Sequence, residues 1–142
     1  MDVKTIVDAG PLIGWLNASD QWHEWSVATL SARRGALCTT EIVLGEACWY
    51  LGGNTKPAHA LLSLVRNGAI ELVQPWPAHL ARTQELMLKY ECMDAADASL
   101  VVLSELHPKA QIVTTDCADF RRYRRFRDQP LPLAAPSGDQ PT

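Results

Sequence analysis

No apolar run in this 142-residue chain approaches the ~20 residues that a membrane-crossing helix needs. The N-terminal stretch MDVKTIVDAG places a lysine in a short apolar run that ends at aspartate. It lacks the apolar core of a secretory signal, so the expected compartment is the cytoplasm. No CxxC pair is present. Cys38, Cys48, Cys92 and Cys117 are spread among apolar neighbours, which argues against a zinc site or a disulfide framework and for free buried or half-buried thiols. There is no glycine-rich phosphate loop of either common type, which disfavours ATPase and dehydrogenase chemistry. His23, His59, His79 and His107 are scattered over polar or terminal positions, no Ser-His-Asp order stands out, and there are no internal repeats.

What is present is an ordinary globular composition, with 47% hydrophobic and 20% charged residues. One domain of this length buries roughly 68–70% of its unfolded surface, so it needs no staples. The net charge is -3, yet five of the nine arginines crowd into residues 121–127. Trp15, Trp22, Trp25, Trp49 and Trp76 are many for this size. Most are expected in the core, and some are candidates for a partner surface.

Short apolar strands are expected at 4–8, 36–39, 69–73 and 111–115. Helices are expected at 12–17, 20–34, 40–51, 56–67, 77–90, 94–106 and 119–123, with Ser19 capping the second and Asp119 the last. Gly35, Gly52-Gly53 and Gly68 are natural stops. Strands alternating with helices imply an α/β domain with a parallel sheet covered on both faces. Right-handed crossovers then bring the carboxyl ends of the strands to one edge, where α/β sites form. The chain divides into a domain over 1–129 and a proline-rich tail over 130–142, whose first part suits an edge strand and whose last part is expected to be disordered.

The informative residues are carboxylates in apolar company. Reading the 40–51 helix at i, i+3, i+4, i+7 and i+8 gives Ile42, Gly45, Glu46, Trp49 and Tyr50, so Glu46 falls in an apolar stripe. A lone buried carboxylate there would cost several kcal/mol or stay protonated. Glu41, at the helix start, reads as a solvated first-turn acid. The helix from Asp94 is apolar nearly all round. Asp94 suits its N-cap, whereas Asp97 shares its face with Leu100, Val101 and Ser104. Asp8 and Asp116 each end an apolar strand, where a lone acid would simply make a turn. Asp8, Glu46, Asp97 and Asp116 meeting at one sheet edge would repel unless a cation neutralised them. With no His or Cys cluster nearby, their oxygens point to Mg²⁺ or Mn²⁺, the ions of phosphodiester-hydrolysing centres.

Four segments in order carry a resemblance: Val7-Asp8-Ala9-Gly10-Pro11-Leu12-Ile13, Thr39-Thr40-Glu41-Ile42-Val43-Leu44-Gly45-Glu46, Met93-Asp94-Ala95-Ala96-Asp97-Ala98, and Ile112-Val113-Thr114-Thr115-Asp116-Cys117-Ala118-Asp119-Phe120. They resemble the PIN-domain family, in the order and spacing of its VapC-like toxin branch, over about residues 3–126. The resemblance implies a three-layer α/β/α fold with a short, mainly parallel central sheet. It also implies a Mg²⁺- or Mn²⁺-dependent endoribonuclease. Asp8, Glu46, Asp97 and Asp116 match the family's acidic quartet, as catalytic residues and metal ligands. Asp94 and Asp119 match its secondary acids, and Thr114 matches a supporting hydroxyl. A small antitoxin partner and a homodimer are implied too. The positions after Asp116 are often basic in similar sequences and here are Cys117 and Ala118.

Arg121, Arg122, Arg124 and Arg125 are candidate contacts for RNA phosphates, with Tyr123 or Phe126 available to stack on a base. The opposing reading is a solvated helix face with both rings packed inward. Two rival functions stay open on sequence grounds. One is a housekeeping RNA-processing nuclease, and the other is a non-catalytic RNA- or protein-binding module. A DNA substrate stays open as well, because a metal site alone does not read the 2′-hydroxyl.

Overall fold

A computed structural model describes residues 2–137. Five strands form one parallel sheet, Ile70–Leu72, Leu37–Thr39, Thr5–Val7, Gln111–Val113 and Leu133–Ala134 in spatial order. They are β1 (Thr5–Val7), β2 (Leu37–Thr39), β3 (Ile70–Leu72), β4 (Gln111–Val113) and β7 (Leu133–Ala134). Register pairs Ile6 with Cys38 on one side and Val7 with Val113 on the other. The three residues of β1 are buried, as expected of a strand covered on both faces. The helices are α1 (Ala9–Leu16), α2 (His23–Ser31), α3 (Glu41–Tyr50), α4 (Lys56–Arg66), α5 (Leu80–Lys89), α6 (Ala95–Leu106) and α7 (Cys117–Arg122). From β1 to β3 the chain steps one way across the sheet, and from β3 it returns past β1 to β4. Right-handed crossovers therefore set α1–α4 on one face and α5–α6 on the other, giving the α/β/α layering. Helix α6 is the central element: its residues from Ala98 to Ser104 are all buried.

Several local expectations change. Helix α2 is shorter than expected, and Trp22 rather than Ser19 is its N-cap. Asp20 has already turned the chain there, by accepting from the Trp22 amide at 2.8 Å. Asp116, not Asp119, caps α7, and Asp119 lies in the first turn. None of the five tryptophans is fully buried, and Trp49 is 73% exposed. Cys92 is exposed rather than half-buried. The start of the tail does join the sheet, as β7 beside β4, while residues 138–142, where disorder was expected, lie outside the described residues.

The arginine run is not one helix face. It passes from the last turn of α7 into an antiparallel pair, β5 (Arg124–Arg125) and β6 (Gln129–Pro130). Arg127 and Asp128 make the reversal with left-handed backbone, at φ 60° and 58°. A buried ion pair anchors this hairpin. The Arg82 guanidinium grips Glu105, whose side chain is 6% exposed, with donor distances of 3.0 and 2.8 Å. Glu105 also accepts from the Phe126 amide at 2.8 Å, and Arg82 lies 4.0 Å above the Phe126 ring.

Candidate active site

The acids reach one place because strand ends and helix starts coincide there. Asp8 follows β1 and is the N-cap of α1, with its side chain accepting from the Ala9 amide at 2.8 Å. Pairing of Val7 with Val113 sets Thr114 beside it. The Thr114 hydroxyl donates to Asp8 Oδ2 at 2.7 Å and accepts from the Asp116 amide at 3.0 Å, so one buried side chain fixes both acids. Asp94 caps α6 by accepting from the Asp97 amide at 2.8 Å. Thr40 caps α3 and meets Ser99 of α6 at 2.9 Å, which locks the Glu46 helix to the Asp97 helix. Gly10 sits where a Cβ would lie 2.1 Å from the Thr115 hydroxyl, so only glycine lets α1 approach the loop after β4 this closely.

Asp8, Glu46, Asp94, Asp97, Asp116 and Asp119 line one cavity of about 320 Å³. Ala9, Gly10, Ile13, Tyr50, Cys92 and Thr115 complete its wall, and no lysine or arginine is among the lining residues. The electrostatics follow. Burial pushes Asp8, 8% exposed, up to about 6 against the bonds from Thr114 and Ala9, with Asp116 and Asp94 adding repulsion. Burial likewise pushes Asp97 up to about 7, opposed by the bond from Tyr123 and assisted by Asp94, Asp8 and Asp116. Glu46 is raised by burial and then by Asp94 and Asp8, and Asp116 is raised by burial first. Acids raised by burial and by one another in a single cleft make it the candidate functional site.

The donor set fits a hard divalent cation, because it offers carboxylate oxygens and unneutralised negative charge. Among the described residues no three acids, histidines or cysteines are gathered tightly enough to cage an ion. An open wall of carboxylates is still what Mg²⁺ suits, since that ion keeps several waters and takes few protein ligands.

The stripe on α3 differs from expectation. Its buried side is Val43, Leu44 and Ala47, continued by Leu51. The other side, with Gly45, Trp49 and Tyr50, faces outward, and Glu46 is half-buried at the cavity between the two. Tyr123 is not available to stack on a base. It is fully buried, and its hydroxyl donates to Asp97 Oδ2 at 2.7 Å. Burial and that bond raise the hydroxyl above its usual range, so it stays a donor. Tyr123 is the supporting residue that sequence reading did not assign to the site, and its only signal was an aromatic inside a basic run.

The arginines separate. Arg122 pairs with Asp119 and touches Cys92 at the cavity rim, and Arg121 is exposed. Arg124 donates to the carbonyls of Arg121 and Tyr123 at 2.7 and 3.0 Å. Arg125 donates to the carbonyls of Ser104 and Pro108 at 3.1 and 3.0 Å, toward the far end of α6 from Asp97. Arg124 and Arg125 are thus engaged in holding the hairpin.

A family model for the PIN domain matches residues 5–126. No curated protein matches the sequence significantly. Solved structures that resemble the fold include VapC20 of Mycobacterium tuberculosis, described as a sarcin-ricin-loop-cleaving toxin. It matches with a TM-score of 0.73 and 14% identity, covering 81% of this chain and 92% of that one. VapBC2 of Rickettsia felis, bound to a DNA fragment from its promoter, matches with a TM-score of 0.62 and 15% identity, covering 95% and 100%. DNA-bound VapBC of Salmonella typhimurium matches with a TM-score of 0.59 and 14% identity, covering 94% and 98%. At these identities the likeness is one of fold.

Proposed function

This chain belongs to the PIN-domain family, and on that premise we propose that it is a Mg²⁺- or Mn²⁺-dependent endoribonuclease of the cytoplasm, the toxin of a toxin–antitoxin pair. The observation that carries the reading is the single cavity lined by six carboxylates and no cation, with Asp8 and Asp97 pushed up to about 6 and 7. Asp8, Asp94 and Asp116 cap helices, but capping does not require six acids to face one cleft, and buried Asp8 and half-buried Asp97 and Glu46 are costly there unless a cation is bound. The fold likeness to VapC and VapBC proteins supports a small antitoxin partner and an RNA substrate, and a homodimer is part of the same proposal on the family resemblance alone.

In this reading Asp8, Glu46, Asp97 and Asp116 hold the ion, and Asp94 and Asp119 add charge at the rim. A divalent ion held there supplies Lewis acidity toward the phosphate and lowers the pKa of water for attack on phosphorus. Thr114 keeps Asp8 and Asp116 in fixed orientation through its two hydrogen bonds. Tyr123 does the same for Asp97 and favours its ionised form. Arg122, paired with Asp119 at the rim, and the exposed Arg121 one position before it offer guanidinium groups to the substrate backbone. The test is cleavage of total RNA by the purified protein in EDTA, Mg²⁺ or Mn²⁺, alongside Asp97→Asn. Cleavage that requires metal and vanishes in the variant is the expected result. Undiminished cleavage by Asp97→Asn would overturn the site, and absence of cleavage under every metal would overturn the ribonuclease.

A further inference from the structure

Helix α3 carries a solvent-facing surface that the fold itself does not use. Trp49 and Tyr50 are 73% and 63% exposed, and their rings meet edge to face with centroids 5.1 Å apart. They lie three and four residues after Glu46, so they share its face of the helix. Tyr50 is itself part of the wall of the acid cavity. On the same side, Gly45 is exposed, and a Cβ there would meet nothing within 4 Å. Glycine is the poorest helix former after proline, and no neighbour within the chain requires it here. A bare helix backbone beside two uncovered aromatics is a surface open to close approach from outside.

We propose that Trp49 and Tyr50 form a base-stacking shelf, one ring offering its face and the other, at 89° to it, closing the side, that takes an unpaired nucleobase next to the phosphate being cut. The inference rests on the ribonuclease reading. A base is joined to its phosphate through one sugar, and the side chains of Glu46 and Tyr50, one helical turn apart, stand about 5–6 Å apart at Cβ. A phosphate at the acids therefore sets its own base, or the next one, over the aromatics. Aromatic faces bind any base by stacking and carry no charge penalty toward the strand. Self-association through this face fits less well, because a two-fold contact would bring two cavities of carboxylates toward each other. The shelf also gives a cavity whose charged lining is all acidic a way to retain a polyanion: part of the grip is uncharged.

The test uses the full chain with two separate readouts. One is Mn²⁺-dependent cleavage of a short RNA that contains the mapped cut site. The other is anisotropy of a labelled, 2′-O-methyl version of that RNA in EDTA. Trp49→Ala and Tyr50→Ala are expected to raise KM and weaken anisotropy-detected binding about tenfold, with kcat falling less, while Trp49→Phe and Tyr50→Phe stay near wild type. An abasic site beside the cut is expected to lose the same factor in wild type and nothing further in Trp49→Ala. Wild-type KM and binding in both alanine variants would overturn the shelf while leaving the nuclease standing. Alanine variants that bind RNA normally but lose a dimer or a protein partner would overturn it too, and assign the face to protein. A wild-type chain that neither cuts nor binds would fail the ribonuclease reading, and the shelf with it.

Discussion

Replacing Asp8 with Asn should abolish cleavage and yet stabilise the metal-free protein. The folded chain holds the Asp8 carboxyl at about 6, against 3.8 for an ordinary solvated aspartate, a difference of about 2 pH units. At 1.36 kcal/mol per unit, ionised Asp8 costs the fold about 3 kcal/mol at neutral pH. Asparagine removes that charge but turns an amide NH₂ toward either the Thr114 hydroxyl or the Ala9 N–H, which now donate to the carboxylate. One imperfect hydrogen bond takes back about 1 kcal/mol. The net gain is about 2 kcal/mol, or roughly 6 °C in Tm for a chain of this size. The sign depends on pH. A raised carboxyl binds its proton more tightly in the folded state, so wild type loses stability as pH climbs from about 4 to 6. The advantage of Asp8→Asn should therefore be full at pH 8 and nearly absent at pH 4. Thermal denaturation in EDTA at both values measures it. Saturating Mn²⁺ should raise wild type, by about 2.7 kcal/mol at a hundredfold excess over Kd, and leave the variant little changed. A variant less stable than wild type at pH 8, or a gap equal at both pH values, would refute the reasoning.

Three further outcomes follow from the same geometry. Tyr123→Phe removes the bond that lowers Asp97, so Asp97 should rise further above about 7. Metal affinity should then weaken about tenfold per unit at pH 6.5 and recover by pH 8.5, and a Mn²⁺ titration identical to wild type at both would count against it. Glu105→Ala leaves Arg82 with Glu85 alone and orphans the Phe126 amide, and should cost about 2 kcal/mol in chemical denaturation, whereas a loss under about 0.5 kcal/mol would mean these groups are solvated. Gly45→Ala fills open space on an exposed helix turn and should gain about 1 kcal/mol, with a fall in Tm as the contrary result.

How far the site can be read from the sequence differs from residue to residue. Asp8 and Asp116 are visible because they interrupt β-rich apolar strings, and Asp97 because α6 has almost no polar face on which to hide it. These are local contrasts, and a parallel sheet turns them into proximity. Helix α3 is harder. It is apolar on two sides, so the periodicity of Ile42, Gly45, Glu46, Trp49 and Tyr50 selects a real face but assigns it to the wrong environment. The core side is Val43, Leu44 and Ala47, and only packing against the rest of the domain decides between the two. The arginine run misleads in a similar way. Charge density suggests one surface, yet Arg125 is spent on carbonyls at the end of α6 and Tyr123 points inward to Asp97. Neither contact has a sequence period, because both join segments about 20 residues or more apart.

The hydrogen bond from Thr114 to Asp8 spans 106 positions in sequence, and the Thr114 amide in turn leans on the Ala134 carbonyl at 3.1 Å. Chains emerge from the ribosome N-terminus first, at about 5–20 residues per second. The first of the acids is thus made many seconds before the hydroxyl that orients it, and the strand that steadies that hydroxyl follows later still. Helices α1–α4 and the β1–β3 half of the sheet can collapse while the pocket is still missing one wall. A nuclease built on this cavity would in this way be incomplete in the nascent protein by topology alone, until the far end of the chain closes the sheet.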